Sequence, residues 1–516
     1  MKTSITQTTD SRLEDFLSIG CSYFNFHECS VAAVSYGPEE QLISWHSNKE
    51  NLIFKVGSLT KVVTALAVLQ LAEKPAFDLN DQVCKYLKWL PGRDVTVLDL
   101  LMHTSGLPRG VPHYSNPGRR KLLMELKDWQ QMKPQVKSYK YSNLGYILLG
   151  KIIEVVTCMS YADYVQKEIF NPLGMADSGF GNSGDRRLTI PHALSCFSEN
   201  SKSPFECSPI PLLSAPEASF DMYSTTGDLS KLMRCILNKG TYAGKRVLTP
   251  TSIQVLFSSS IPISGHLNSG IGLLHIKTRR SSCFFLSAEH WGHSASMLLI
   301  PEKQLGLVAM ANRSSAGSDL LHLLQTAKRY LQGDISACEL NFNYSNPELI
   351  TGLYKNEQGD VLQIESRSGM NFARLNQGHV TPLIYKGQQC FILKIAGLSQ
   401  YLMRLHMVRQ QCTGIYIGPY YFEKAEHKDV CSKPRFYQSI AGIYTHPING
   451  RIALFERKGL LILAYSSLQE ATLREVTPGV FQQENGPFSN ERIHINRSRK
   501  EILIGDLKFR HTQRQY

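Results

Sequence analysis

Ser58 and Lys61 stand three residues apart at the start of a long apolar run. On a helix that spacing puts both side chains on one face of the first turn. An ammonium at the mouth of a buried helix needs a reason, because buried lysines are rare unless paired. Desolvation and the positive end of the helix both favour the neutral amine. A neutral amine within reach of a hydroxyl can take its proton, and Ser58 then becomes a nucleophile. The same two residues also admit a plain reading, with Ser58 as a helix N-cap and Lys61 reaching out to water.

The elements around the pair must hold it in place. Val62, Val63, Ala65, Leu66, Ala67, Val68, Leu69, Leu71 and Ala72 are apolar nearly all round, so a buried helix is predicted, stopped by Pro75. Strands are predicted at Val31–Val34, Gln41–Trp45 and Leu52–Val56, the last feeding into Ser58. Thr96 to Asp99 forms a capping box before Leu100–Met102, with Gly106 able to close that short helix. Tyr141 and Asn143 are two apart in a loop, before a second apolar helix running from Leu144 to Val156. Asn143 is placed to act as its N-cap. Residues 183–218 read as a polar surface excursion, residues 268–312 as hairpins, and Ser318 to Leu331 as a closing helix.

Composition narrows the function classes. The chain has 516 residues, 42% hydrophobic and 19% charged, which is a globular balance too long for one core. The net charge of +13 is spread out, and its densest runs, Arg119–Lys121 and Arg497–Lys500, are too short for a nucleic-acid footprint. The first ten residues lack the apolar core of an export signal, and no apolar stretch is long enough to span a bilayer. The expectation is a cytoplasmic protein with no membrane or nucleic-acid partner. Twelve cysteines lie scattered without metal spacing, so buried free thiols, no metal and no cofactor are expected.

After residue 340 helical patterns give way to short alternating runs. Ile350-Thr351-Gly352-Leu353-Tyr354 recurs 90 residues on (442 − 352) as Ile440-Ala441-Gly442-Ile443-Tyr444. Two similar antiparallel barrels are the economical reading. The expected domains are therefore 1–338, 339–428 and 429–516.

Phe54-Lys55-Val56-Gly57-Ser58, Leu100 to Leu107, Tyr141 to Gly150, and Asn171-Pro172-Leu173-Gly174-Met175 stand together in one order. Over roughly residues 12 to 333 the chain resembles the serine β-lactamase-like family, which includes class C β-lactamases, D-aminopeptidases, family VIII esterases and related transacylases. The resemblance implies a β-lactamase-like transpeptidase fold of the α/β (α+β) class, an antiparallel sheet flanked by helices. It also implies an all-β C-terminal barrel region like that of D-aminopeptidase relatives.

Carried over by position, Ser58 would form an acyl-enzyme, with Lys61 and Tyr141 handling its proton. Asn143 would bind the substrate amide. The Ser58 N–H and the strand near residue 290 would form an oxyanion hole. The third motif has two alignments. A gapped one gives His290-Trp291-Gly292, with His290 and Gly292 facing substrate; an ungapped one gives Leu286-Ser287-Ala288 and loses the motif. The gapped one keeps a polar group there and is preferred. Where relatives carry a Gly-Gly pair, this chain has Phe220-Asp221. Phe220 would narrow the cleft, and Asp221 would meet a substrate amine.

The expected function is a serine hydrolase or acyltransferase acting on an amide or ester, most simply a short peptide or amino-acid amide. An acyl-transferring peptide cyclase or an esterase uses the same acyl-enzyme. A non-catalytic ligand-binding or scaffold protein of the same fold is the rival from another class.

Overall fold

Three runs with almost no exposed position, Cys29–Ser35, His293–Ile300 and Leu305–Ala311, lie side by side at the centre of one sheet. A strand covered on both faces needs no polar alternation. The computed structural model describes residues 6–7, 11–23, 26–35, 41–47, 51–90, 94–107, 139–194, 207–209, 217–264, 267–277, 282–290, 292–313 and 316–333. In the C-terminal part it describes 346–356, 361–367, 370–375, 380–387, 390–392, 402–408, 411–417, 420–425, 440, 442–446, 450–457, 460–466, 469–477, 479–483, 492–496, 501–504 and 507–511. By internal contacts the chain divides into two compact units: residues 1–193 with 207–340, and residues 194–206 with 341–516.

The first unit is built on a nine-stranded sheet. In spatial order its strands are Thr6–Gln7, Gln41–His46, Cys29–Ser35, Leu305–Ala311, His293–Ile300, Ser282–His290, Leu274–Lys277, Leu267–Gly270 and Ser260–Ser264. All neighbours are antiparallel except the first pair. Helices Gly317–Leu331 and Thr226–Leu237 pack on the central strands. Strand Ser282–His290 alternates: Phe284, Leu286, Ala288 and His290 are buried, and the residues between are partly exposed. Three of these four join the core around helix Thr60–Ala72, which is buried on nearly every side. The predicted buried helix is thus real, and its apolar circumference is matched by sheet on one side and helices on the other.

Among the described residues no single helix is long and apolar enough to cross a membrane. Of the described cysteines, Cys21, Cys29, Cys235 and Cys412 are buried free thiols, whereas Cys158 is exposed. Cys158 ends helix Asn143–Thr157 in a left-handed conformation, which turns it out to solvent.

The second unit is all-β. Strands Gly442–His446 through Leu507–His511 form a closed antiparallel barrel, sealed where Tyr444 and Thr445 pair with His511 and Arg510. The earlier strands form a nine-stranded antiparallel sheet whose end strands are Val380–Pro382 and Ile384–Gly387. Only Leu383 separates these two ends in the chain. Consecutive Cα atoms are about 3.8 Å apart, so the sheet must curl until its edges meet at that corner. The recurring Ile-x-Gly-x-Tyr motif has one physical meaning in both copies. The buried Tyr354 hydroxyl donates to the Ile350 carbonyl at 2.7 Å, and Tyr444 donates to Ile440 at 2.8 Å.

Candidate active site

Strand Phe54–Lys55 runs through Val56 into a tight 3-10 turn, Gly57–Leu59, and on into helix Thr60–Ala72. Gly57 makes that entry possible. Its φ is +53°, and a Cβ there would lie 2.3 Å from the Glu289 carbonyl oxygen and 3.1 Å from the His290 nitrogen. Any other residue is strained on both counts. The Ser58 turn therefore rests directly on the end of strand Ser282–His290, at Glu289 and His290.

Ser58 Oγ lies 2.7 Å from the Tyr141 hydroxyl, and Lys61 Nζ donates to it at 3.0 Å. Lys61 is 1% exposed. It also donates to Asn143 Oδ1 at 2.8 Å and to the Ser219 carbonyl at 2.7 Å. An ammonium has three N–H donors, and each here has an acceptor. Lys61 does not snorkel. Its Nζ also sits 5.0 Å from the Tyr141 ring centre and 5.6 Å from that of Tyr146, inside cation–π range.

Asn143 is free for Lys61 because it is not the helix cap. Ser142 is the N-cap of helix Asn143–Thr157, accepting from Gly145 N–H at 3.2 Å. The expected Asn143 cap is corrected by one residue: the buried amine recruits the amide, and the adjacent hydroxyl caps instead. The helix opened by the Thr96–Asp99 capping box spans Val97–Leu101. The chain leaves it in a left-handed residue at His103, φ +58°, three residues before the expected Gly106.

That turn puts His103 under Tyr141. The two rings are 4.6 Å apart at 33°. The His103 carbonyl accepts Lys140 N–H at 2.7 Å, and its Nδ1 accepts Ser142 N–H at 3.1 Å. His103 thus grips the residues on either side of Tyr141. Burial, then the nearby Lys61 charge, pull its imidazole down to about 3, so it is neutral.

The remaining expected site residues are placed differently. Asp221 is 2% exposed, and Lys55 Nζ donates to its Oδ1 at 2.7 Å. Gly181 N–H donates to its other oxygen at 2.9 Å. Burial pushes the Asp221 carboxyl up, but His290 and Lys55 outweigh it and hold the group below the usual carboxylate range. The expectation that Asp221 meets a substrate amine is corrected: both its oxygens are already taken inside the protein. His290 lies 3.8 Å from Asp221 Oδ1 with its side chain wholly buried, and it stacks on Phe220 at 5.0 Å and 26°. Of the two third-motif alignments, the gapped one puts its histidine beside the Gly57–Leu59 turn. Trp291 lies outside the described residues. Gly292 accepts His192 N–H at 3.0 Å, with Pro191 so close that a Cβ on Gly292 would stand 2.3 Å from it.

The segment 218–222 is fastened along its length to residues 55–64. Thr64 Oγ1 donates to Ala218 O at 2.6 Å, Lys61 to Ser219 O, and Lys55 to Asp221. Met222 N–H donates to Thr60 Oγ1 at 3.2 Å, and Val56 N–H to Met222 O at 3.0 Å. Sequence reasoning assigned no role to Lys55, His103 or Ser219. A lysine inside the apolar run Leu52–Val56 is the one signal that was available. Among the described residues no cluster of three His, Cys, Asp or Glu side chains is placed to hold a metal ion.

Residues 28–329 match the family described as Beta-lactamase. Among curated proteins, the chain is 34% identical to the teichoic acid D-alanine hydrolase of Staphylococcus aureus over 137 residues, 26% of this chain and 34% of that one. It is 31% identical to a putative penicillin-binding protein of Bacillus subtilis over 203 residues, 39% of this chain and 51% of that one. The chain thus spans about a third to a half of the length of these relatives. Among solved structures, the octameric penicillin-binding protein homologue from Pyrococcus abyssi superposes with a TM-score of 0.57 at 18% identity, covering 89% of this chain and 99% of that one. The D-amino acid amidase from Ochrobactrum anthropi superposes at 0.51 with 22% identity, covering 64% and 97%. At these identities the two structures speak for the fold alone. The family match runs over more than half of the chain and takes in the Ser58, Lys61 and Tyr141 cluster together with the sheet beneath it, so the chain belongs to the beta-lactamase family.

Proposed function

We infer that the chain is a serine hydrolase or acyltransferase that works through a Ser58 acyl-enzyme on an amide or ester. The observation that carries this reading is the position of Ser58 Oγ, 3.0 Å from Lys61 Nζ and 2.7 Å from the Tyr141 hydroxyl. Hydrogen-bond reach between nucleophile and base is the requirement for activating a hydroxyl.

With the Tyr141/Lys61 pair one proton short of its phenol–ammonium form, Ser58 Oγ attacks the substrate carbonyl carbon and its proton passes to that pair. The oxygen of the tetrahedral adduct is met by the Ser58 N–H and the backbone at the end of strand Ser282–His290. The bond to the leaving amine or alcohol breaks, and that group takes the proton back from the same pair. Water, or an amine in the transfer reaction, then attacks the acyl carbon and releases Ser58. Asn143, fixed by Lys61, is beside the entering acyl group. A short peptide or amino-acid amide is the substrate class we favour. It fits a relative whose name is teichoic acid D-alanine hydrolase.

The test is intact mass after incubation with a fluorophosphonate or a penicillin, beside Ser58→Ala. One adduct on the parent protein and none on the variant is expected. No adduct on the parent overturns the reading.

A further inference from the structure

Tyr141 brings its hydroxyl to Ser58 from residues 139–142, which are neither helix nor strand. No helical or sheet ladder of backbone bonds runs through such a stretch. The hydroxyl stands at the far end of its side chain, so a small tilt of the backbone would carry it out of hydrogen-bond range of Ser58 Oγ.

The residues on both sides of Tyr141 are tied to one histidine. The His103 carbonyl accepts Lys140 N–H at 2.7 Å, and its Nδ1 accepts Ser142 N–H at 3.1 Å. The imidazole lies against three tyrosines: Tyr141 at 4.6 Å, Tyr146 at 5.2 Å and, edge-on, Tyr139 at 6.0 Å. Nδ1 is the acceptor in the Ser142 bond, so a neutral ring carries its own N–H on Nε2. Neutrality suits the neighbours. Lys61 Nζ faces the same two rings, 5.0 Å from that of Tyr141 and 5.6 Å from that of Tyr146.

His103 is itself fixed. It is 6% exposed, and its left-handed backbone is one that histidine adopts more readily than most residues. The next residue is bound back to the Thr96–Asp99 capping box: Thr104 N–H donates to the Asp99 carbonyl at 2.9 Å, and Thr104 Oγ1 to Asp99 Oδ1 at 2.8 Å. The capping box thus anchors the turn, and the turn anchors the imidazole.

We propose that His103 is a positioning residue of this site: through its bond to Ser142 N–H and its ring against Tyr141, it sets the Tyr141 hydroxyl on Ser58 Oγ, and it acts on the reaction only through Tyr141. The proposal rests on the reading of Ser58 as nucleophile.

The test uses the full chain with His103→Gly and His103→Asn, each alone and combined with Tyr141→Phe. Glycine keeps the left-handed turn and removes both side-chain attachments. Asparagine keeps the turn and an acceptor for Ser142 N–H but not the ring. With para-nitrophenyl acetate the acetyl carbon bonds to Ser58 Oγ, the nitrophenolate leaves, and the serine proton passes to the Tyr141/Lys61 pair. Acylation is read by released nitrophenolate and intact mass. Each rate is divided by the amount of Ser58 that a fluorophosphonate labels at completion, so unfolded protein does not count.

Per labelled site, His103→Gly is expected to lower the maximal acylation rate about 10–10²-fold with little change in the half-saturating ester concentration. His103→Asn is expected to recover part of that loss. In Tyr141→Phe the same replacements are expected to cost less than about twofold, because no hydroxyl remains to be placed. A merely structural histidine would lower the urea midpoint and the labelled fraction and leave the rate per labelled site unchanged; that result overturns the proposal. So does an equal loss with and without the Tyr141 hydroxyl, or an asparagine variant no faster than the glycine one. If His103→Gly does not fold, His103→Asn decides by the same comparison with and without that hydroxyl. Fluorophosphonate labelling of the parent separates the two levels of argument. A labelled parent whose His103 variants keep its rate removes this inference alone. An unlabelled parent removes the nucleophile reading and this inference with it.

Discussion

The Tyr141 hydroxyl stands 2.7 Å from Ser58 Oγ, while the other ring of the contact, His103, lies 4.6 Å from the Tyr141 ring. The phenol is therefore held at its oxygen by the Ser58 hydroxyl and along its ring by an imidazole. Removing only that oxygen, in Tyr141→Phe, leaves the stack and deletes the proposed proton carrier. With para-nitrophenyl acetate, kcat is expected to fall by about 10²–10⁴ with little change in KM. Lys61→Ala is expected to do comparable damage, and the double variant little more than the worse single one, because the two act as a unit.

Gly57→Ala tests the close approach under Ser58. The new methyl would meet backbone, which cannot swing aside as a side chain can. A stability loss of about 1–3 kcal/mol is expected, read as a lower urea midpoint, together with lost acylation. Gly174→Ala is the control. Gly174 also has positive φ, but nothing lies within 4 Å of its added Cβ. It is expected to cost about 1 kcal/mol and leave acylation intact.

The neutral His103 gives stability a definite pH dependence. Its imidazole titrates near 6.5 in an unfolded chain and about 3 in the folded one. Between those values the unfolded state binds a proton that the folded state refuses, so stability falls as pH falls from about 6.5 towards 3. The group's share is on the order of 4–5 kcal/mol over the window. His103→Asn keeps a residue that tolerates the left-handed backbone and retains an acceptor for Ser142 N–H. Urea midpoints from pH 7 to pH 4 are expected to fall less steeply in that variant. Equal slopes would remove His103 as the source.

The Lys55–Asp221 pair predicts asymmetry between single and double variants. Asp221→Ala leaves a buried ammonium that keeps the Gly181 and residue-221 carbonyls but loses its countercharge, and Lys55→Met leaves the carboxylate without its cation. Each is expected to cost about 3–5 kcal/mol. Joint replacement by Lys55→Met and Asp221→Leu is expected to cost less than the sum, because neither charge remains uncompensated. A double-mutant cycle on urea midpoints measures this, and simple additivity would contradict the pairing.

What could be read from the chain was what is encoded locally. Ser58 and Lys61 are one turn apart on a helix whose apolar circumference is visible, and the Thr96–Asp99 capping box was found where the pattern put it. Ile-x-Gly-x-Tyr was visible as a repeat, although the hydroxyl-to-carbonyl bond that explains it was not. Pairings between distant segments were illegible. Lys55 and Asp221 are 166 residues apart, so neither shows its partner. Without Lys55 in view, the Asp221 carboxylate reads as a partner for a substrate amine. The cap at Ser142 was misassigned for a related reason, since both Ser142 and Asn143 are good caps and only the distant Lys61 chooses between them. The repeat suggested two antiparallel barrels, but the order of strands within each did not show, because strand order, unlike strand identity, leaves no periodic trace.

The ribbon 218–222 carries one more implication. Thr64, Lys61, Lys55, Thr60 and Val56 each bond to it, so the Ser219 carbonyl is immobilised before any substrate arrives. The rotamer freedom of Lys61 is surrendered during folding and not at turnover. A fixed dipole of this kind needs no reorientation when charge develops at Ser58, so reorganisation of the protein adds little to the barrier. The stiffness also limits adaptation: a substrate that requires Lys61 in another orientation would have to loosen five attachments at once.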